Sequence, residues 1–277
     1  MKLPISAIIL TYNEAANISA CLEGIAGLAE EIFIVDSGST DSTLDIARKF
    51  TDKIYTHPFE NFARQRNWAQ DTLPLRYEWV LHLDADEIVS EELRRALENI
   101  FSTLSDSDGF MFPRRTMFRG RWIRYGGHYP VYHLRLFKKA CGRSEERLYD
   151  QNYIVRGKVS AIKGDIINTI NPDLMQWKSR HKQWALLEAQ EVLFNKNRVM
   201  NIGFWGNPIE RRNWLRYKIY YALPLFIRPC VYFTYRYLFR LGFLDGRQGL
   251  VFHFWHGFWY RMLVDIRIGQ LDKQRKH

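Results

Sequence analysis

At 277 residues with 47% hydrophobic content, the chain has the length for one large α/β domain and the ordinary apolar fraction of a globular protein. Three scattered cysteines, Cys21, Cys141 and Cys230, show no metal or redox spacing, which favours a reducing compartment over a disulfide framework. The net charge of +10 is uneven: residues 203–277 hold 13 Lys and Arg against 4 Asp and Glu, whereas residues 1–202 hold 27 against 26.

Ser6–Thr11 reads as a first buried strand, entered directly from Met1 without a signal peptide. Asn13 is placed to cap a following helix, with Glu14 in its first turn and Ile18, Cys21, Leu22 and Ile25 on its apolar face. Glu31–Asp36 is a second strand that ends in an acid. The polar turn Ser37–Thr43 opens another helix, with Leu44 and Ala47 inward. Lys53–Thr56 is a short third strand and Phe62–Asp71 a helix. Trp79–Leu83 is a fourth strand, apolar until it runs into Asp84, Asp86 and Glu87. Alternation of this kind predicts a mostly parallel, doubly wound sheet with helices on both faces. All four strands deliver polar residues to one rim: Thr11 to Glu14, Asp36, His57, and Asp84 to Asp86. Open α/β sheets bind their ligands there.

Asp84 and Asp86 are two residues apart, so on an extended chain both emerge on one face, roughly 7 Å apart. Hard divalent cations take one or two such carboxylates and complete their shell with water and phosphate oxygens. No Gly-x-Gly-x-x-Gly follows the first strand and no Gly-Lys-[Ser/Thr] loop occurs, which argues against a dehydrogenase or a P-loop NTPase. A metal held by Asp84 and Asp86, rather than a glycine cradle, is left to neutralise bound phosphates.

Four motifs in order carry a resemblance: Ile8-Ile9-Leu10-Thr11-Tyr12-Asn13-Glu14, Ile34-Val35-Asp36-Ser37-Gly38-Ser39-Thr40-Asp41, Ala63-Arg64-Gln65-Arg66-Asn67 and Leu83-Asp84-Ala85-Asp86-Glu87. Together they resemble the family 2 glycosyltransferases, inverting enzymes of the GT-A fold. The stretch from Pro113-Arg114-Arg115 to Arg135-Leu136-Phe137 is similar to a narrower group that includes bacterial lipopolysaccharide-core and exopolysaccharide enzymes. The resemblance implies that Thr11, Tyr12 and Glu14 line a nucleoside pocket and that Asp36 bonds the uracil or its ribose. Arg66 matches the arginine that approaches base and phosphates. Asp84 and Asp86 form the Asp-x-Asp, with Asp86 the direct ligand of Mg²⁺ or Mn²⁺.

Gly109–Phe112 reads as a strand leading into a loop rich in arginine and glycine, with Arg114, Arg115, Arg119, Arg121 and Arg124 facing either a diphosphate, an anionic acceptor or solvent. Gly126-Gly127 suits positive-φ turns. An inverting displacement needs a carboxylate to take the proton of the acceptor hydroxyl. Relatives place it before a strand like Tyr153–Val155, where a His-Glu pair common in the narrower group is replaced here by Asp150-Gln151. Asp150 is the expected base, with Glu145 and Glu146 next. His181 falls on a helix reaching Leu193, while His253 and His256 share a helical face with no carboxylate or cysteine near enough in sequence for a zinc site.

Residues 203–277 carry 19 of the 42 Phe, Trp and Tyr residues, interleaved with arginine. No run of about 18 apolar residues marks a transmembrane helix. Short amphipathic helices in the headgroup layer fit this composition, against a helical subdomain that packs the aromatics inward. No nucleic-acid-binding signature accompanies the basic residues. The expectation is therefore a GT-A catalytic domain over residues 1–202, with a nucleotide-sugar half (1–100) and an acceptor half (101–202), followed by an amphipathic helical region over 203–277. It would use a UDP-sugar donor and a glycan or lipid-linked acceptor. It would work as a cytoplasmic, peripheral protein at the inner face of the plasma membrane and bind no nucleic acid. The rivals are transfer to a polyprenyl phosphate and a non-catalytic membrane-bound sugar-nucleotide sensor.

Overall fold

The computed structural model describes residues 2–103, 105–170, 174–194 and 203–276. The chain forms two compact units: Met1–Arg114, Tyr132–Glu146 and Gln151–Asn168 make the first, and Arg115–Val131, Arg147–Asp150 and Thr169–His277 the second. The boundary expected between residues 202 and 203 adjoins a stretch, 195–202, that lies outside the described residues.

In the first unit, β1 (Leu3–Thr11) lies parallel between β2 (Ala29–Asp36) and β4 (Trp79–Asp84), and β3 (Ile54–Thr56) extends the sheet beyond β2. These strands read as near-continuous apolar runs because both faces of the sheet are covered. Ile5, Ala7 and Ile9 pack with Ile18 and Leu22 of α1 (Ile18–Ala26) and with Leu93 and Leu97 of α4 (Glu91–Ser102). The alternate residues Ile8 and Leu10 pack with Ala69 of α3 (Phe62–Thr72) and with Leu73 at its end. Register places Thr11 opposite Asp36, Asp36 opposite Thr56 and Leu10 opposite Asp84, so the polar rim expected from the sequence is one edge.

Beyond β4 the sheet changes direction. β8 (Tyr132–Lys138) runs antiparallel to β4, β6 (Gly109–Phe118) antiparallel to β8, and β11 (Val159–Ala161) parallel to β6. The link from β6 to β8 contains no helix, and strands joined without a long crossover pair antiparallel. β5 (Glu87–Val89) pairs antiparallel with β12 (Ile166–Ile170), and β9 (Gly142–Ser144) with β10 (Tyr153–Val155). The α/β fold is thus parallel in its N-terminal half and mixed overall.

Two local expectations change. Asn13 does not cap α1, which begins at Ile18: Asn13 sits at φ 53°, donates its N–H to Ser39 Oγ at 2.9 Å, and accepts from Thr40 N at 2.8 Å. The turn before α2 (Thr43–Ala47) has claimed its side chain. The stretch after Phe112 is not a loop either. Buried Thr116 and Phe118 alternate with half-buried Arg115 and Met117, so β6 continues to Phe118 and pairs with β7 (Arg121–Ile123).

In the second unit, Ala185 and Ala189 of α5 (Leu174–Phe194) pack against Tyr260, Val264 and Ile268 of α9 (Tyr260–Lys276). Between them come α6 (Pro208–Trp214), α7 (Ile227–Thr234), α8 (Gly246–His253) and single π-helical turns at Leu215–Ile219, Tyr235–Phe239 and Phe254–Trp259. Among the described residues, no helix is long and apolar enough to cross a membrane.

Candidate active site

Each strand end of the first unit contributes to the rim. Thr11 is buried at the end of β1, and its Oγ1 has no hydrogen-bond partner among the described residues. Tyr12 stands exposed beside it, and Glu14 accepts from Asn17 Nδ2 at 2.6 Å. Asp36, buried at the end of β2, accepts from the N–H groups of Gly38 and Ser39 at 2.8 Å and from Ser39 Oγ at 2.5 Å. Its carboxylate therefore shapes the turn; Oδ1, with one bond, retains acceptor capacity.

The Asp-x-Asp is not an extended pair. β4 ends at Asp84 and a turn follows, so the two carboxylates meet different surroundings. Asp84 accepts from Arg66 Nη2 at 3.0 Å on one oxygen and from Arg135 Nη2 at 2.8 Å on the other. Burial works to raise its pKa, but Arg135 and Arg66 outweigh it and hold the carboxyl well below the usual range. Arg135 also donates to Glu87 Oε1 at 2.6 Å, and Glu87 Oε2 accepts from the Asp84 N–H at 3.1 Å. Arg66 and Arg135 are themselves buried, as is His82, which stacks on Phe137 at 5.4 Å and is held neutral by burial and by the two arginines.

Asp86 differs. It accepts from a neutral amide, Asn168 Nδ2, at 2.8 Å, and no cationic side chain hydrogen-bonds to it among the described residues. Burial, then the charges of Asp84 and Glu14, push its pKa up to about 6. Arg66 and Arg135 are both hydrogen-bonded to Asp84, and Arg135 to Glu87 as well; Arg114 draws on Asp86 only through its charge, which does not offset burial and the charges of Asp84 and Glu14, so Asp86 is the carboxylate left without a bonded cation. A hard oxygen donor with no bonded cation fits Mg²⁺ or Mn²⁺. Among the described residues no cluster of three or more His, Cys, Asp or Glu could enclose a metal, so a cation here would take further ligands from phosphate and water.

The expected bases separate. Glu145 is buried after β9, with its N–H on Asn152 O at 2.8 Å, and Glu146 is exposed. Both belong to the first unit, and Asp150 to the second. Asp150 sits at φ 52° and accepts from Arg216. The residue is exposed, yet crowding around the carboxyl works to raise its pKa; Arg216, Arg212 and Arg147 outweigh this and hold it well below the carboxylate range. His181 lies on α5 with Nδ1 2.8 Å from Trp177 O. His253 pairs with Asp245 at 3.1 Å rather than with His256.

Arg135 and Glu87 are site residues to which sequence reading assigned no role. A signal existed: an arginine in the apolar strand Tyr-His-Leu-Arg-Leu-Phe needs buried acceptors, and a carboxylate satisfies its hydrogen bonds and its charge together. It could not say which carboxylate.

The family model for glycosyl transferase family 2 matches residues 6–154. An uncharacterized glycosyltransferase of Rickettsia bellii is 37% identical over 99 residues, 36% of this chain; the chain spans about a third (33%) of that relative's length. A lipopolysaccharide core biosynthesis glycosyltransferase of Rhizobium meliloti is 26% identical over 261 residues, covering 91% of this chain and 90% of the relative. Among solved structures, Staphylococcus aureus TarS (residues 1–349) aligns over 99% of this chain and 92% of its own, at 15% identity and a TM-score of 0.43.

Proposed function

Because the chain belongs to glycosyltransferase family 2, we propose that it moves a sugar from a UDP-sugar to a cell-envelope glycan or its lipid-linked precursor, by a metal-dependent, inverting displacement. The work would take place at the inner face of the plasma membrane. The observation that carries this reading is the Asp86 carboxylate, half-buried at the rim, opposed by the charges of Asp84 and Glu14 and hydrogen-bonded to a neutral amide rather than to a guanidinium. The lipopolysaccharide-core relative, aligned over nearly the whole chain, supports an envelope acceptor.

Asp86, with Asp84 beside it, would hold Mg²⁺ or Mn²⁺, which as a Lewis acid offsets charge on the diphosphate leaving group. Thr11, Tyr12, Glu14 and Asp36 form the nucleoside side. The unpartnered Thr11 Oγ1 and the remaining lone pair of Asp36 Oδ1 supply its polar contacts. Arg66, anchored on Asp84, has further N–H groups for base and phosphate. In the transfer step the acceptor oxygen bonds to the anomeric carbon while the bond to the diphosphate oxygen breaks, its electron pair leaving with the diphosphate. The hydroxyl proton passes to a carboxylate, for which Asp150 is the first candidate and Glu145 and Glu146 the alternatives. Held ionised by Arg216, Asp150 is a weak base in the ground state. It would take the proton late, once the acceptor oxygen has given up electron density to the new bond.

The test is Asp86→Asn. Turnover and Mn²⁺-dependent UDP binding should both be lost while the protein stays folded, with no fall in its melting temperature. Normal turnover in this variant, or normal turnover of the unaltered protein in excess EDTA, would discard the metal-dependent mechanism.

A further inference from the structure

Helix α7 and the π-helical turn that continues it, residues 227–239, are built inside out. Arg228 is 3% exposed, its Nε and Nη2 on Asp265 Oδ1 at 2.7 and 2.5 Å. Arg236 is 8% exposed and donates from Nε to Gly126 O at 2.7 Å. The exposed large apolar residues are Ile227, Val231, Tyr235, Leu238 and Phe239, at 56%, 47%, 48%, 53% and 74%, with Cys230 and Thr234 exposed among them. Steps of three and four put these five on one stripe. Leu241, Phe243, Leu244 and Leu250 are also exposed, so the apolar surface continues past the helix. A surface helix in water shows the reverse pattern. Contiguous apolar surface of this kind marks a contact site.

The charges around it say what makes the contact. Arg240 and Arg247 are exposed among the apolar residues, and Arg121 donates from Nη2 to Leu244 O at 3.2 Å, beside Phe243. Residues 115–131 and 226–254 contain one acid, Asp245. It is buried, taken up by His253 and by the backbone N–H groups of Arg124 and Tyr125. The surface therefore offers cations and apolar side chains without an exposed carboxylate. A second copy would bring the same cations against it. A layer with anionic phosphates above an apolar interior matches both features.

We propose that the outward face of residues 226–250, with the Arg121 edge of the β6–β7 hairpin, docks on an anionic lipid bilayer and lies in its headgroup layer. This rests on the membrane-face reading above and adds the surface that makes the contact. The full-length protein, without donor or acceptor, should co-sediment with vesicles of equimolar phosphatidylcholine and phosphatidylglycerol, and less with phosphatidylcholine alone. Leu238→Ser/Phe239→Ser should lower vesicle affinity at least about tenfold, since burying either side chain is worth at least the ~1.4 kcal/mol of one decade. Its melting temperature should not fall, because both side chains are exposed. Arg240→Ser should weaken binding at low salt and less at high salt. Phe59→Ser, at an exposed apolar residue of the first unit, should change nothing. A fluorophore on Cys230, exposed on the same helix, should be quenched by nitroxide-bearing lipid when Cys141 is replaced by Ser. Unchanged binding in the double variant overturns the proposal. So does a wild-type protein that stays in solution with anionic vesicles, or one that self-associates through this face instead. Binding is scored without chemistry, so its failure leaves sugar transfer standing, and loss of transfer in Asp86→Asn leaves docking standing.

Discussion

Arg135 serves two carboxylates from one nitrogen, whereas Asp86 hydrogen-bonds only to the neutral amide of Asn168 among the described residues; the two residues should respond oppositely to replacement. Arg135→Met leaves the buried Glu87 without its cation and Asp84 with only Arg66. Removing one partner of a buried pair costs about 3–5 kcal/mol. Urea unfolding should show that loss, and a variant within about 1 kcal/mol of wild type, the ceiling for an exposed ion pair, would mean the cluster does not support the fold. Asp86→Asn removes a charge that burial, Asp84 and Glu14 disfavour. In metal-free buffer near neutrality it should stabilise the protein, by about 1–3 kcal/mol for a shift of this size, while abolishing turnover. A variant both inactive and destabilised would make Asp86 a structural residue.

At the scale of elements, the β6–β7 hairpin and α8 are held together inside the second unit by one histidine and one glycine. Gly126 is at φ 67°, and a Cβ there would lie 2.3 Å from the buried His253 ring, which bonds Asp245, the acceptor for the Arg124 and Tyr125 N–H groups. Gly126→Ala should cost at least the 1–2 kcal/mol of a left-handed alanine, roughly, before the displaced ring is counted. Thermal unfolding measures it, and an unchanged midpoint would show that the hairpin moves freely. α5 depends on Glu188, which accepts from Arg216 at 2.5 Å and from Tyr221, Tyr260 and Arg261 at 2.6 Å. Burial works to raise its pKa, but Arg261 and Arg216, with the two tyrosines, bring it down to about 2. A depressed carboxyl stabilises the fold above its unfolded pKa of about 4.3 and loses that contribution as pH falls toward 2. About 3 kcal/mol should disappear across that window, at ~1.36 kcal/mol per unit. Glu188→Gln should flatten the acid limb of the stability profile; an identical acid limb would place the titration elsewhere.

For the whole molecule, the basic, aromatic character of residues 203–277 splits into two parts with different physics. Arg216, Arg228, Arg236 and Arg261 are turned inward, on Glu188, Asp150, Asp265 and the Gly126 carbonyl, and their planes lie near tyrosine rings. Apolar side chains are turned outward. Truncation before Gly203 would therefore strip Glu188 of all four partners named above and uncover the α5 face that packs on Tyr260, Val264 and Ile268. The shortened chain should be insoluble or fail to fold cooperatively. A soluble, UDP-binding truncation would show that the first unit folds without residues 203–277.

Sequence alone determined the parallel half of the sheet, because strands covered on both faces become continuous apolar runs and the acids mark where they end. It also determined which residues reach the rim, since Thr11, Asp36 and Asp84 close their strands. Strand direction after β4 was not legible, because direction depends on which strand the chain returns to rather than on its own residues. The same holds at the site: two aspartates two residues apart look equivalent until Arg66 and Arg135, 18 and 51 residues away in sequence, both settle on Asp84 and leave Asp86 open. In residues 227–239 helical spacing sorts arginines onto one face and apolar residues onto the other. Only the tertiary structure decided which face points in, because Asp265 and the Gly126 carbonyl, far along the chain, supply the partners that make buried arginine stable.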